Sequence, residues 1–443
     1  MVGSGPSSLW RESRWTLLAQ CALAVAGAVL AFEAWGRGHL LYRLPAFAVG
    51  GLLLLPLLLT AIAGRRWIRV FQRLALVVLG IGLCIGALEL VVRLTRPARF
   101  VPPVEQDDPI LGYVFEPGTG GADAWGFRNA EVPERVDIFC TGDSQTWGTN
   151  IKREETWPRA LARRTGRSTY NAGISGYGAL QYLALLERAQ ALDARIVVIG
   201  LFFGNDLFDA FRFARLEHWS DFRDPALDYP PLVYGVTPGP APNLVMGAVD
   251  GLMEHSLVLG RLGFELKLAM RNHPALADLY WVDGGAPRLA EGPVRTYFTP
   301  DYRLRALNLD DHTIRDGMRI TLEAYARAAE RSTELGMRLA VLLIHTKEYS
   351  YWRYLEQRDP ALADRLAELG RAEAEVTERL GDHFASLDLR VVEPTPEIVA
   401  ALAAGRALWP AYTDGHLNEE GTDLIAAVLQ LELADWIAAL PPR

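Results

Sequence analysis

Ser144 stands in the stretch Thr141-Gly142-Asp143-Ser144-Gln145-Thr146-Trp147-Gly148, directly after the apolar run Val136 to Cys140. Open α/β sheets hold their ligands at the carboxyl ends of their strands, and a hydroxyl just past such an end is placed to act as a nucleophile; Gly142 permits the tight turn this needs. The same stretch would also suit a serine that merely caps a helix. A serine hydroxyl attacks well only if a base takes its proton as the new bond forms, so an imidazole is required. Of the histidines beyond residue 100, His416 has an acid in a suggestive place, within Thr413-Asp414-Gly415-His416-Leu417-Asn418. Residues two apart diverge on a helix, so Asp414 can hold the ring only across a turn, which Gly415 favours. An ordinary Asp-Gly loop is the plain alternative.

Acyl transfer also needs donors aimed at a developing oxyanion. The stretch from Asn171 to Gly178 offers backbone N–H groups that glycines leave unobstructed, and Gly204-Asn205-Asp206 offers a side-chain amide. Each alone reads as a loop. The first follows a probable second strand and the other the third, as Ser144 follows the first, which places all three at one edge of a sheet.

The elements that must position these groups alternate. Val136 to Cys140, Arg195 to Leu201 and Arg338 to His345 read as strands. Trp157 to Thr165 reads as a helix, with Thr156 as N-cap, Pro158 in the first turn and Gly166 after the end. Leu180 to Leu192 is another. The last helix follows Asn418, with Glu419 and Glu420 at its positive end and an apolar stripe through Ile425, Val428, Leu429, Leu433, Trp436, Ile437 and Leu440. Such alternation predicts an α/β domain with a parallel sheet covered on both faces. The interval 207–310 breaks the pattern. It is rich in Pro, aromatics and Arg, with a helix expected at Ser256 to Met270, and reads as an inserted lid or cap.

The four stretches GDSQTWG, NAGISGYG, FFGND and DGHLN, in this order, resemble the signature blocks of the SGNH hydrolase superfamily, the GDSL-type lipases and esterases. The resemblance covers residues 135–206 and 338–430. It implies a three-layer α/β/α flavodoxin-like parallel sheet, with Ser144 as nucleophile, His416 as base and Asp414 as its partner. It also implies an oxyanion hole made by the N–H groups of Ser144 and Gly176 and the Asn205 side chain, with Gly173 ranked behind Gly176. No metal or organic cofactor is implied. Many members separate the acid and the histidine by two residues, whereas only Gly415 intervenes here; this looks more like the Asp-x-His of cell-envelope relatives similar to alginate O-acetyltransferases.

The first hundred residues are of another kind. Trp15 to Trp35, Pro45 to Ala63 and Leu74 to Val92 are apolar runs, each near the length of about 20 residues that spans a hydrocarbon core. Three transmembrane helices are expected at 15–35, 45–63 and 74–92, in a membrane region 1–98 that precedes a catalytic domain 99–443. Arg65, Arg66, Arg69 and Arg73 crowd the loop between the second and third runs, which places that loop and the N-terminus in the cytoplasm. Three spans then put the domain outside a bacterial inner membrane. Glu89, inside the third run, has Arg93 as a near partner.

The 443 residues are half apolar and carry a net charge of −8, which excludes a basic groove for nucleic-acid phosphates. Cys140 alone lies beyond the apolar runs, so neither a disulfide nor a zinc site staples the domain. The expected activity is ester hydrolysis through an acyl-enzyme. Addition or removal of O-acetyl groups on a cell-envelope polysaccharide is the alternative, and an inactive, membrane-tethered binding protein is the second. The expected partners are an ester or acylated glycan and the lipid bilayer; the sequence names no protein partner.

Overall fold

A computed structural model of the chain describes residues 65–95, 103–229, 256–271, 287–291, 294–411 and 414–441. The chain divides into two compact units, 1–100 with 242–266, and 101–241 with 267–443.

The second unit is built on five parallel strands, β1 (Ile138–Gly142), β2 (Thr169–Asn171), β3 (Ile196–Phe202), β4 (Arg338–Ile344) and β5 (Arg390–Val392). Their order is β2-β1-β3-β4-β5, the 2-1-3-4-5 sequence of flavodoxin-like sheets. Successive residues of these strands enter two separate cores. Phe139, Val197, Ile199 and Val341 face one, while Ile138, Cys140, Val198 and Leu342 face the other. The strands are therefore apolar on both faces, as a sheet covered by helices on each side requires.

The covering helices used below are α1 (Ser144–Trp147), α2 (Trp157–Thr165), α3 (Ala179–Ala184), α4 (Leu186–Ala191), α5 (Asp206–Phe213), α6 (His312–Glu334), α7 (Lys347–Leu355), α8 (Pro360–Ser386) and α9 (Glu419–Glu432). Leu180 and Leu186 of α3 and α4, with Ile320 and Tyr325 of α6, fill the first core. Trp157 and Leu161 of α2, with Ile425 and Leu429 of α9, fill the second. Fully burying one such side chain stabilises by roughly 1.5–3 kcal/mol.

Three local expectations change. Leu180 to Leu192 is not one helix but two, divided at Leu185. Thr156 holds the N-cap position of α2 without capping it, because its hydroxyl donates back to the Arg153 carbonyl at 3.0 Å. Asn418 does cap α9, accepting from the N–H groups of Glu420 and Gly421 at 3.0 and 2.9 Å, but the helix breaks at Leu433 before Ala434–Ala438. The interval 207–310 is not uniform either. Leu207, Phe213 and Phe222 lie in the first core, residues 242–266 group with the first unit, and Arg288–Glu291 pairs with Val294–Tyr297 in an antiparallel hairpin.

In the first unit, the expected spans 15–35 and 45–63 lie outside the described residues. The third lies within a single helix, Arg65–Thr95, whose Leu76, Val77, Ile81 and Leu83 are exposed. Among the described residues no helix is long and apolar enough to cross a membrane; the side chains at 74, 75, 78 and 79 of this run are not among those described. Glu89 has a structural use. It pairs with Arg93 at 2.7 Å and accepts from the Ser256 hydroxyl and the N–H groups of Leu257 and Val258, the first turn of the helix Leu257–Arg271.

Candidate active site

β1 delivers the chain to Gly142, where a Cβ would stand 2.8 Å from the Gly200 carbonyl oxygen and closer still to Thr146. Only glycine fits that approach. Asp143 then caps α1, accepting from the Gln145 N–H at 2.9 Å, and Gly148 ends the helix in the left-handed region. Ser144 thus projects from the first position of a four-residue helix at the sheet's carboxyl edge.

Its hydroxyl meets the other end of the chain. Ser144 Oγ lies 2.8 Å from His416 Nε2, and His416 Nδ1 lies 2.5 Å from Asp414 Oδ1. The same carboxylate oxygen accepts from the His416 backbone N–H at 3.0 Å, so the three-residue turn closes on itself. This is why one intervening residue suffices. A ring that gives its Nδ1 proton to a carboxylate presents an Nε2 lone pair, here toward the serine. Ser144 Oγ is also 3.0 Å from Asp143 Oδ2. Burial pushes the Asp143 carboxyl up, against the lowering effect of the Gln145 N–H, the His416 charge and Ser144.

Residues the sequence did not single out hold the turn in place. Gln145 donates to the Gly415 carbonyl at 3.0 Å and accepts from the Leu417 N–H at 3.3 Å, so the neighbour of Ser144 grips the histidine loop directly. Trp409 Nε1 donates to the same carbonyl at 3.2 Å. Asn150, itself at φ +69°, donates to the second oxygen of Asp414. Lys347, the first residue of α7, is fully buried and donates to the carbonyls of Tyr297 and Asp414 at 2.7 and 3.0 Å. A sequence signal existed for the last of these: a Lys-Glu pair stands three residues past the end of an apolar strand.

Desolvation lowers the Lys347 ammonium to about 8, with Arg303 adding to the effect against Glu348 and Asp414. Its ordinary value is 10.5, so the unfolded chain binds more protons between those limits and stability rises with pH there. The expected result is a melting temperature that climbs from pH 8 to 10.5 in the wild type relative to Lys347→Met. A pH-independent difference between the two proteins would refute it.

The expected oxyanion donors lie on neighbouring loops. Asn205 sits at the N-cap of α5 and its amide donates to Asp209 one turn on. Asp209 Oδ1 pairs with Arg212 Nε at 3.1 Å, both side chains being almost wholly buried, and Arg212 Nη2 donates to the Gly176 carbonyl at 2.9 Å. The two loops are therefore tied by one chain of contacts, Asn205–Asp209–Arg212–Gly176. Burial pushes the Asp209 carboxyl up to about 7 even with Arg212 and the Asn205 amide opposing it. Gly176 has φ +78°, and a Cβ there would press on Arg212 at 3.1 Å. Gly173 is committed elsewhere. Its N–H donates to Asn171 Oδ1 at 2.9 Å, and a Cβ would come within 2.7 Å of the Trp147 nitrogen, so it serves close packing under α1. Asp206 closes the turn between β3 and α5, accepting from Phe202 N–H and the Tyr182 hydroxyl at 3.1 and 2.9 Å. Among the described residues no His, Cys, Asp and Glu cluster is placed to hold a metal ion.

No protein-family model and no curated protein matches the chain. Several solved structures do. One is a protein assigned to the lipolytic G-D-S-L family from Desulfitobacterium hafniense, with 11% identity, 68% of this chain and 100% of that chain covered, and a TM-score of 0.28. Another is an alpha/beta hydrolase enzyme from the metagenome of Lake Arreo, with 11% identity, 68% and 97% coverage and a TM-score of 0.30. A third is a carbohydrate esterase family 2 enzyme of Corynascus thermopiles (Myceliophthora fergusii) with a carbohydrate-binding domain, with 14% identity, 74% and 69% coverage and a TM-score of 0.25. At TM-scores this low the likenesses decide nothing about the chemistry, which rests on the contacts described above.

Proposed function

We propose that this chain is a serine-dependent ester hydrolase of the SGNH type. The observation that carries the reading is the continuous contact Ser144 Oγ–His416 Nε2–Asp414, at 2.8 and 2.5 Å, at the carboxyl edge of a parallel sheet. Ser144 Oγ attacks the ester carbonyl carbon as its proton passes to His416 Nε2, and Asp414 stabilises the resulting imidazolium. The N–H groups of Ser144 and Gly176 and the second N–H of the Asn205 amide receive the oxyanion. Collapse expels the alcohol, which takes the proton from Nε2 and leaves an acyl-serine. Water then attacks that ester, giving its proton to His416, and the carboxylic acid departs with Ser144 regenerated.

The test is covalent labelling of the full-length protein by a fluorophosphonate. Labelling is expected in the wild type and absent in Ser144→Ala; label retained by the variant overturns the nucleophile. Should wild-type protein that has not met the probe turn over esters only with an added sugar acceptor, transfer replaces hydrolysis as the reaction.

The apolar runs of the first hundred residues, with the exposed apolar side chains of Arg65–Thr95, support anchoring in a bacterial inner membrane with the domain outside. Ala130 is exposed, so an Ala130→Cys protein should react with an impermeant thiol reagent in intact cells. Protection until lysis would place the domain in the cytoplasm.

A further inference from the structure

Arg303, from the short helix Pro300–Leu304, lies against two of the site loops at once. A Cβ on Gly204 would stand 2.9 Å from its Nη1, and a Cβ on Gly415 2.5 Å from its Nη2. Gly204 precedes Asn205, and Gly415 separates Asp414 from His416. Neither glycine has a positive φ. Backbone conformation does not demand glycine at 415; the guanidinium occupies the space a side chain would need. At 204 it shares that space with the Phe202 ring.

An arginine that serves only to brace loops spends its N–H groups on the protein. Arg128 does so, donating to the carbonyls of Trp147, Gly148 and Ile151 at 2.6 to 3.1 Å. Arg303 does not. Among the described residues it makes no hydrogen bond and has no carboxylate within ion-pair distance; its neighbours are the rings of Phe202 and Tyr302, at 5.4 and 5.1 Å. Its Nε is shut off from solvent without a partner. Glu348 accepts from the Thr299 N–H and hydroxyl through Oε1, and its Oε2, buried without a hydrogen-bond partner, does not come within ion-pair distance of Arg303; Lys347 donates to two carbonyls. A partly buried cation left in this state is costly, and an anion that enters removes the cost.

We propose that Arg303 is a substrate-recognition residue that binds a carboxylate on the alcohol portion of the ester, an inference that rests on the hydrolase reading above. A planar guanidinium fork matches a carboxylate with two parallel hydrogen bonds. The alcohol portion is specified because the leaving oxygen takes its proton from His416, and Arg303 lies over the residue next to it. The substrate class is thus the acylated hydroxy-carboxylate.

The experiment uses the full-length protein and pairs of acetyl esters, O-acetyllactate with O-acetyllactamide and O-acetyl-3-hydroxybutyrate with its amide. The wild type is expected to favour the carboxylate member of at least one pair in kcat/KM by about ten- to a hundredfold, the usual worth of charged hydrogen bonds. Arg303→Gln should bring that ratio close to one, and Arg303→Lys should keep part of it. No preference in the wild type, or an unchanged ratio in Arg303→Gln, overturns the inference; a purely structural role would lower both members alike. Calorimetric binding of the same pairs to Ser144→Ala, with and without Arg303→Gln, separates the two readings. Discrimination in binding with no wild-type turnover sinks the hydrolase and keeps the anion site, while turnover without discrimination does the reverse.

Discussion

Ser144→Ala lowers kcat on an ester by on the order of 10⁵- to 10⁶-fold, and adding His416→Ala to it costs almost nothing more. The expectation follows from the proton path. Ser144 Oγ and His416 Nε2 are 2.8 Å apart, so the imidazole contributes chiefly through that hydroxyl, and once the oxygen is gone it has little left to do. Two groups that act as one unit give strongly non-additive losses. Neither change should unfold the protein. The Ser144 side chain is partly exposed, and the loop around residue 416 is held by backbone contacts from Gln145, Trp409 and Lys347 that survive the loss of the ring. Steady-state kinetics on the two single variants and the double variant, with melting curves as control, make the measurement. If the single losses multiply in the double variant, serine and histidine act independently and the proposed mechanism is wrong.

The histidine turn was legible because it is local. An acid and a histidine on either side of one glycine can meet only across a turn, and Asp414 meets both the ring and the backbone of His416 in that way. The strands were legible because a sheet buried on both faces leaves short, unbroken apolar runs. The meeting of residues 144 and 416 was not contained in any periodicity; it rested on the ordered motifs and their resemblance to a family. The supports were hidden for a different reason. Asn150, Lys347, Asp209 and Arg212 are polar residues that a sequence reading assigns to the surface, yet Lys347, Asp209 and Arg212 are buried and each is matched by a partner from a distant segment or one helical turn away. The breaks at Leu185 and Leu433 were invisible too, since a leucine inside an apolar stripe gives no sign that the helix stops.

Asn205→Ala should reduce kcat by about 10²- to 10³-fold with little change in KM, because an oxyanion donor acts on charge that appears only in the transition state. The amide is not free to turn. Asp209 takes one of its N–H groups, which leaves the other to point in a fixed direction, and Asp209 is itself held by Arg212. Asp209→Asn keeps the size of the side chain but turns one of two oxygens, both in use, into an NH2 that only donates; with Arg212 holding the remaining oxygen, the Asn205 amide loses its anchor. A smaller fall in kcat is expected, on the order of tenfold, since a misaligned donor still contributes some stabilisation. Breaking a buried pair also costs about 3–5 kcal/mol of stability, so a fall in activity alone would not separate misalignment from loosening of the fold. The double variant does. If Asp209 acts through Asn205, Asp209→Asn has almost no further effect on kcat once residue 205 is alanine, although its melting temperature still drops. If the same factor is lost in both backgrounds, Asp209 works through the fold, and the chain of contacts from Asn205 to Gly176 is a brace with no part in aiming the donors.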